Sequence, residues 1–178
     1  MKYFNILMLL SFIIGCSKTT NEETEREKEA KRFYSFAEHN GKEWKGTASV
    51  INKMNKNSDS LLVGLAVYND LGYRVQALNF VNLPITQDTI FLKPVFVSKT
   101  LSYAYYSTFL EDGDAVVEEY ILNEKAISKN WVLIKKISDT DYSGTFNVNM
   151  VYYKGVNTAR PDTLSFSKGS FLAKWRTL

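Results

Sequence analysis

The chain has 178 residues, 45% of them apolar and 14% aromatic, with 22 Lys and Arg against 19 Asp and Glu, one histidine and one cysteine. A lone cysteine excludes a disulfide within the molecule, and so few Cys and His exclude a tetrahedral zinc cluster, so no metal or other cofactor is expected. A basic excess of only three, with no Lys/Arg cluster interleaved with aromatics, excludes a nucleic-acid surface.

Met1-Lys2 followed by the apolar run Ile6 to Ile14 reads as a secretory signal segment, residues 1–15. The run is shorter than the roughly 20 residues that a helix needs to cross a bilayer, so cleavage is expected and not a permanent span. It ends in Ile13-Ile14-Gly15-Cys16, which resembles the lipobox of bacterial lipoproteins: branched apolar residues, a small residue, then cysteine. The resemblance implies a diacylglyceryl thioether on Cys16, cleavage after Gly15 and a fatty acyl group such as palmitate on the freed amine. Two or three chains, at about 0.8 kcal/mol per buried methylene, hold a protein stably where one does not. The expected location is the cell envelope, lipid-anchored at the outer membrane, with the membrane itself as a partner through the acyl groups.

Residues 17–31 carry no apolar side chain larger than alanine, and 16–31 is expected to be a disordered, lipidated, charged tether, partly helical after Asn21. Extended, it reaches about 50 Å from the membrane. From Arg32 to Leu178 the pattern changes to short β-branched and aromatic segments with turn residues about every ten positions. That spacing predicts one all-β domain, an antiparallel β-sandwich or a lipocalin-like barrel of about 8–10 strands.

In chain order the predicted strands begin with 32–38 and 43–52, joined by Asn40-Gly41, the dipeptide most favoured in a two-residue hairpin turn. The polar stretch 53–59 reads as a loop, 61–68 as a strand, Asn69 to Gly72 as a turn, and 73–83 as a strand ended by Pro84. A weaker strand, 89–92, sits close to Pro94 and so at a sheet edge. A hairpin is expected from 101–109 and 116–123 around Glu111-Asp112-Gly113-Asp114. Strands 131–137, 142–154 and 163–175 follow; Phe146, Val148, Met150 and Tyr152 alternate with Thr145, Asn147 and Asn149, the pattern of one buried face. Gly169-Ser170 is the expected site of a bulge in the last strand.

Three segments, Asn40-Gly41-Lys42-Glu43-Trp44, Ser143-Gly144-Thr145-Phe146 and Gly169-Ser170-Phe171, together resemble a family of uncharacterised lipoproteins of Bacteroidota. The resemblance implies an envelope location and an all-β domain with NGxxW, SGTF and GSF segments, and it implies no catalytic activity. In that phylum acidic residues directly behind the lipidated cysteine favour the cell surface; here Glu22-Glu23 are displaced behind Lys18 and two threonines. Physically, the glycines suit turns or bulges, and Trp44, Phe146 and Phe171 suit the core.

Reactive groups are scarce. His39 stands beside the Asn40-Gly41 turn and is expected to be an exposed turn residue; a Ser-His-carboxylate arrangement around it has no nucleophile-elbow motif in support. Asp112 and Asp114, and Asp139 and Asp141, are weak candidates for calcium, but Asp and Gly are also what β-turns require. Glu118 and Glu119 are adjacent on a strand and so point to opposite faces. The tyrosines Tyr103, Tyr105, Tyr106, Tyr152 and Tyr153 are the candidate ligand contacts. The expected function is therefore a non-catalytic module binding an envelope protein, a glycan or a small ligand. An envelope hydrolase and a lipocalin-like carrier of an apolar molecule stand as alternatives.

Overall fold

The computed structural model describes Lys28 and residues 32–52, 60–85, 88–94, 101–157 and 159–176. The signal segment, Cys16, the rest of the tether and the connection 53–59 lie outside the described residues. Ten strands are found among the described residues: β1 Tyr34–His39, β2 Lys42–Asn52, β3 Ser60–Tyr68, β4 Arg74–Pro84, β5 Thr89–Phe91, β6 Tyr103–Phe109, β7 Val116–Leu122, β8 Trp131–Lys136, β9 Asp141–Gly155 and β10 Thr163–Arg176. A short 3-10 helix, Glu124–Lys129, separates β7 from β8.

The sheet closes. Antiparallel pairing runs β9, β10, β1, β2, β3, β4, β6, β7 and back to β9, an eight-stranded barrel. The sandwich alternative is thereby corrected to a barrel, and the reason lies in β10. It pairs with β9 along one edge and with β1 along the other, then continues past β1 to run parallel to the end of β2. First and last strands thus consume each other's free edges.

β7 and β8 lie in succession on one edge of β9, as a single strand interrupted by the 3-10 helix. Asn130, fully buried at the break, replaces the missing ladder partner: its Oδ1 accepts the Asn149 N–H at 2.7 Å and its Nδ2 donates to the Asn123 carbonyl. β5 pairs with the outer edge of β8 and stands last in the sheet order, as the nearby Pro94 suggested.

Alternation sends one face of each strand inward. Trp44, Val63, Leu65, Leu78, Phe80, Tyr106, Phe146, Val148, Met150, Phe166 and Phe171 form one continuous core. Between β9 and β10 the SGTF and GSF segments interlock: Gly144 faces Phe171, and Gly169 faces Phe146. A Cβ on Gly169 would stand 2.5 Å from Phe146 ring atoms, and one on Gly144 would run into the Phe171 ring and the Leu133 carbonyl. Each glycine is the floor on which the neighbouring strand's phenyl ring rests. The bulge expected at Gly169-Ser170 falls just before them, between Phe166 and Gly169, where Lys168 takes a φ of 52°.

The hairpin turns 40–41, 69–73 and 110–115 and the connection 156–162 all gather at one end of the barrel, here called the mouth. Arg32, the start of β1, the turn 137–140 and the end of β10 lie at the opposite, proximal end.

Candidate binding site at the barrel mouth

His39, the last residue of β1, is not the exposed turn residue the sequence suggested. Ser35, Ala37 and His39 share the inward face of β1, and Ala37 pairs with inward Trp44 across the hairpin. The imidazole stacks on Phe166, with ring centres 4.5 Å apart and planes within 6°, and stands 5.7 Å from the Tyr106 ring. Its Nε2 is buried with no hydrogen-bond partner. Burial holds its pKa below the usual 6.5, so the ring is neutral at neutral pH. The rings of Phe166 and Tyr106 hold the imidazole.

Around it stand polar groups that enter from five other strands, β2, β4, β6, β7 and β9. Trp44 Nε1 donates to Gln76 Oε1 at 2.7 Å, which gives the buried indole its partner. Glu118, on the inward face of β7 and only 9% exposed, accepts a long bond of 3.4 Å from Thr108 Oγ1. Burial first, then the nearby Glu118 carboxylate, pushes the Tyr106 and Tyr120 hydroxyls up in pKa, so both stay protonated. Tyr120 donates to the Pro161 carbonyl, while Tyr152 packs edge-on against Tyr120 and carries the Arg160 guanidinium 3.2 Å above its ring. Arg160 in turn reaches Asp162.

The candidate tyrosines therefore divide. Tyr106 and Tyr152 point into the mouth, whereas Tyr103 and Tyr105 stack on each other on the outer wall and Tyr153 faces solvent under Lys154. The carboxylates divide as well. Asp112 and Asp114 sit in the β6–β7 turn, where Asp112 Oδ1 accepts the Asp114 N–H as a turn requires. Asp139 and Asp141 are at the proximal end, paired with Lys136 and Arg32. Among the described residues no group of three His, Cys, Asp or Glu is placed to hold a metal ion.

An open cleft of about 590 Å³ adjoins this cluster at Gln76 and Thr108 and is otherwise lined by turn and rim residues, among them Asp70, Leu71, Phe109 and Glu111. Its surroundings expose apolar side chains on all the longer turns: Leu71, Leu110, Val116 and Val156. Sequence reasoning missed Gln76, Thr108, Glu118 and Arg160. Parity was the available signal, since Gln76 is in phase with Leu78 and Phe80, and Glu118 with Tyr120 and Leu122.

Fold and site together define a closed all-β barrel with a packed interior and a polar, aromatic mouth ringed by carboxylates and apolar tips. No protein-family model, no curated protein and no solved structure matches the chain.

Proposed function

We propose that the chain is a cell-envelope lipoprotein, held at the outer membrane by acyl groups on Cys16, whose barrel is a non-catalytic binding module that engages its ligand at the mouth. The observation that carries this reading is polarity along the barrel: the chain enters at Arg32, and the cleft, buried Glu118 and the apolar turn tips lie at the other end. A tether at the proximal end leaves the mouth pointing away from the membrane. The lipobox resemblance and the short apolar leader support the anchor. Because rings and aliphatic groups pack the axis below Tyr106, binding is assigned to the mouth and not to a deep central cavity. The pairing of an apolar rim with Asp70, Glu111, Asp112 and Asp114 favours an envelope protein segment or small molecule that combines apolar surface with positive charge.

Two measurements test this. Labelled palmitate should enter the wild-type chain in cells and not Cys16→Ser, which should leave the membrane fraction; equal labelling and fractionation refute the anchor. Affinity capture from envelope extracts should recover a specific ligand that Leu71→Glu with Leu110→Glu loses while Ile137→Glu keeps; equal recovery by both variants refutes the mouth as the site.

A further inference from the structure

The two ends of the barrel differ in charge as well as in shape. At the proximal end stand Arg32, Lys135, Lys136, Lys174 and Arg176, against Asp88, Asp139 and Asp141. The mouth turns 69–73 and 110–115 carry Asp70, Glu111, Asp112 and Asp114; at the mouth ends of the strands Lys154 and Arg160 are paired with Glu119 and Asp162, which leaves Lys42 and Arg74 against those four carboxylates and Glu118. The barrel is therefore an electrical dipole along its own axis, basic where the chain enters and acidic at the mouth. The proximal end also exposes apolar groups beside its cations: Ile137 is 60% exposed in the turn after Lys136, and Ile85, just past the end of β4, is 53% exposed.

We infer that this proximal end is a docking surface for a bilayer carrying anionic headgroups. Charge complementarity and chain geometry select the same occupant. A basic surface with exposed isoleucines fits the interfacial region of an anionic bilayer, where each nearby Lys or Arg strengthens binding about fivefold. Arg32, the point at which residues 16–31 join the barrel, is part of that surface. An acyl anchor on that tether raises the concentration of the end next to the bilayer, so weak headgroup contacts suffice to fix orientation. The acidic mouth is repelled from the same surface, which excludes the inverted pose. The barrel then stands upright with its cleft outward and does not swing freely through the reach of its tether. The biological setting of this inference rests on the anchored reading, but its test does not.

The test uses the chain from residue 16 onward with Cys16→Ser, so that no acyl group contributes, sedimented with phosphatidylcholine vesicles with or without phosphatidylglycerol. Binding should require phosphatidylglycerol and weaken as salt is raised. Neutralising Lys135→Gln, Lys136→Gln and Arg176→Gln together should weaken it on the order of a hundredfold. Asp112→Asn with Asp114→Asn, at the far end, should leave it unchanged, and unchanged circular dichroism and melting must accompany each variant. Equal binding to both vesicle types, binding to neither, or a neutralised variant that binds like its parent overturns the inference. Failure of palmitate labelling with anionic binding intact would remove the anchor and leave the docking surface standing.

Discussion

Gly169→Ala is the most direct probe of how this barrel is packed. Gly169 has an ordinary strand backbone, so a methyl group there meets no conformational barrier and gains about 0.5–1 kcal/mol from a stiffer unfolded chain. Its Cβ would nevertheless lie 2.5–2.6 Å from three atoms of the Phe146 ring, roughly 1 Å inside normal carbon contact. Phe146 has nowhere to retreat: it is fully buried, edge-on to Phe80 at 5.1 Å and tilted against Phe171 at 6.4 Å. Overpacking of this kind costs about 1–3 kcal/mol, so the net loss is about 2 kcal/mol once the backbone gain is subtracted from the upper part of that range. Phe146→Leu alone loses about 1–2 kcal/mol through the space it leaves. Combined, the alanine methyl fills that space, and the double variant should be more stable than the sum of the singles by at least about 1 kcal/mol. Urea denaturation followed by tryptophan fluorescence and circular dichroism measures all four corners of the cycle. A Gly169→Ala midpoint equal to the parent's, or strict additivity in the double variant, would refute the reasoning. Gly144→Ala should behave differently, because its new Cβ meets the Leu133 carbonyl as well as the Phe171 ring. A main-chain oxygen in the β8–β9 ladder cannot step aside, so the loss should reach about 3 kcal/mol and Phe171→Leu should not restore it.

Other positions carry equally definite expectations. Asn40 sits at a φ of 50° and its Oδ1 accepts the Ser165 N–H at 2.8 Å, so Asn40→Ala should cost about 1–2 kcal/mol in the same assay, while Asn40→Gly recovers the conformational share. Gln76→Leu leaves the Trp44 indole N–H buried without its acceptor, which should cost about 1–3 kcal/mol. His39 makes stability depend on pH in a fixed direction. Its folded pKa lies below 6.5, so the folded protein binds fewer protons than the unfolded chain just below that pH. The contribution is whole above pH 6.5, declines as the pH falls through that value, and levels off below the folded pKa. Melting temperatures across this window should fall less for His39→Phe, which keeps a ring on Phe166; parallel curves for the two proteins would contradict this.

Much of the barrel was legible because period-2 alternation is a local property. Phe146, Val148 and Met150 face inward as their spacing required, and Asn40-Gly41 makes the tight turn, with both residues at positive φ. Closure was not legible, because it depends on β1 meeting β10 across nearly the whole chain, and no local pattern distinguishes that contact from a second sheet. His39 was misread for a related reason. Its neighbours Asn40 and Gly41 announced an exposed turn, but Ala37 two residues earlier already fixed which way the side chain points. The tyrosines do not form one group because adjacent strand residues face opposite ways, so Tyr105 and Tyr106 cannot both enter one site. Gly169 was marked for a bulge, and the bulge is there, immediately before it; what stayed hidden was its second role, room under a phenyl ring on the next strand, which sequence distance conceals.

The pairing of β10 with β9, β1 and β2 sets the timetable of folding. Hairpins such as β1–β2 and β3–β4 can form from contiguous chain, but the ring stays open until residues 163–176 become available. Contacts of such long sequence separation are slow to form, so the nascent polypeptide remains pliable until synthesis is nearly complete. A chain of this design resists premature compaction, and truncating its final strand would unmake three ladders in one stroke.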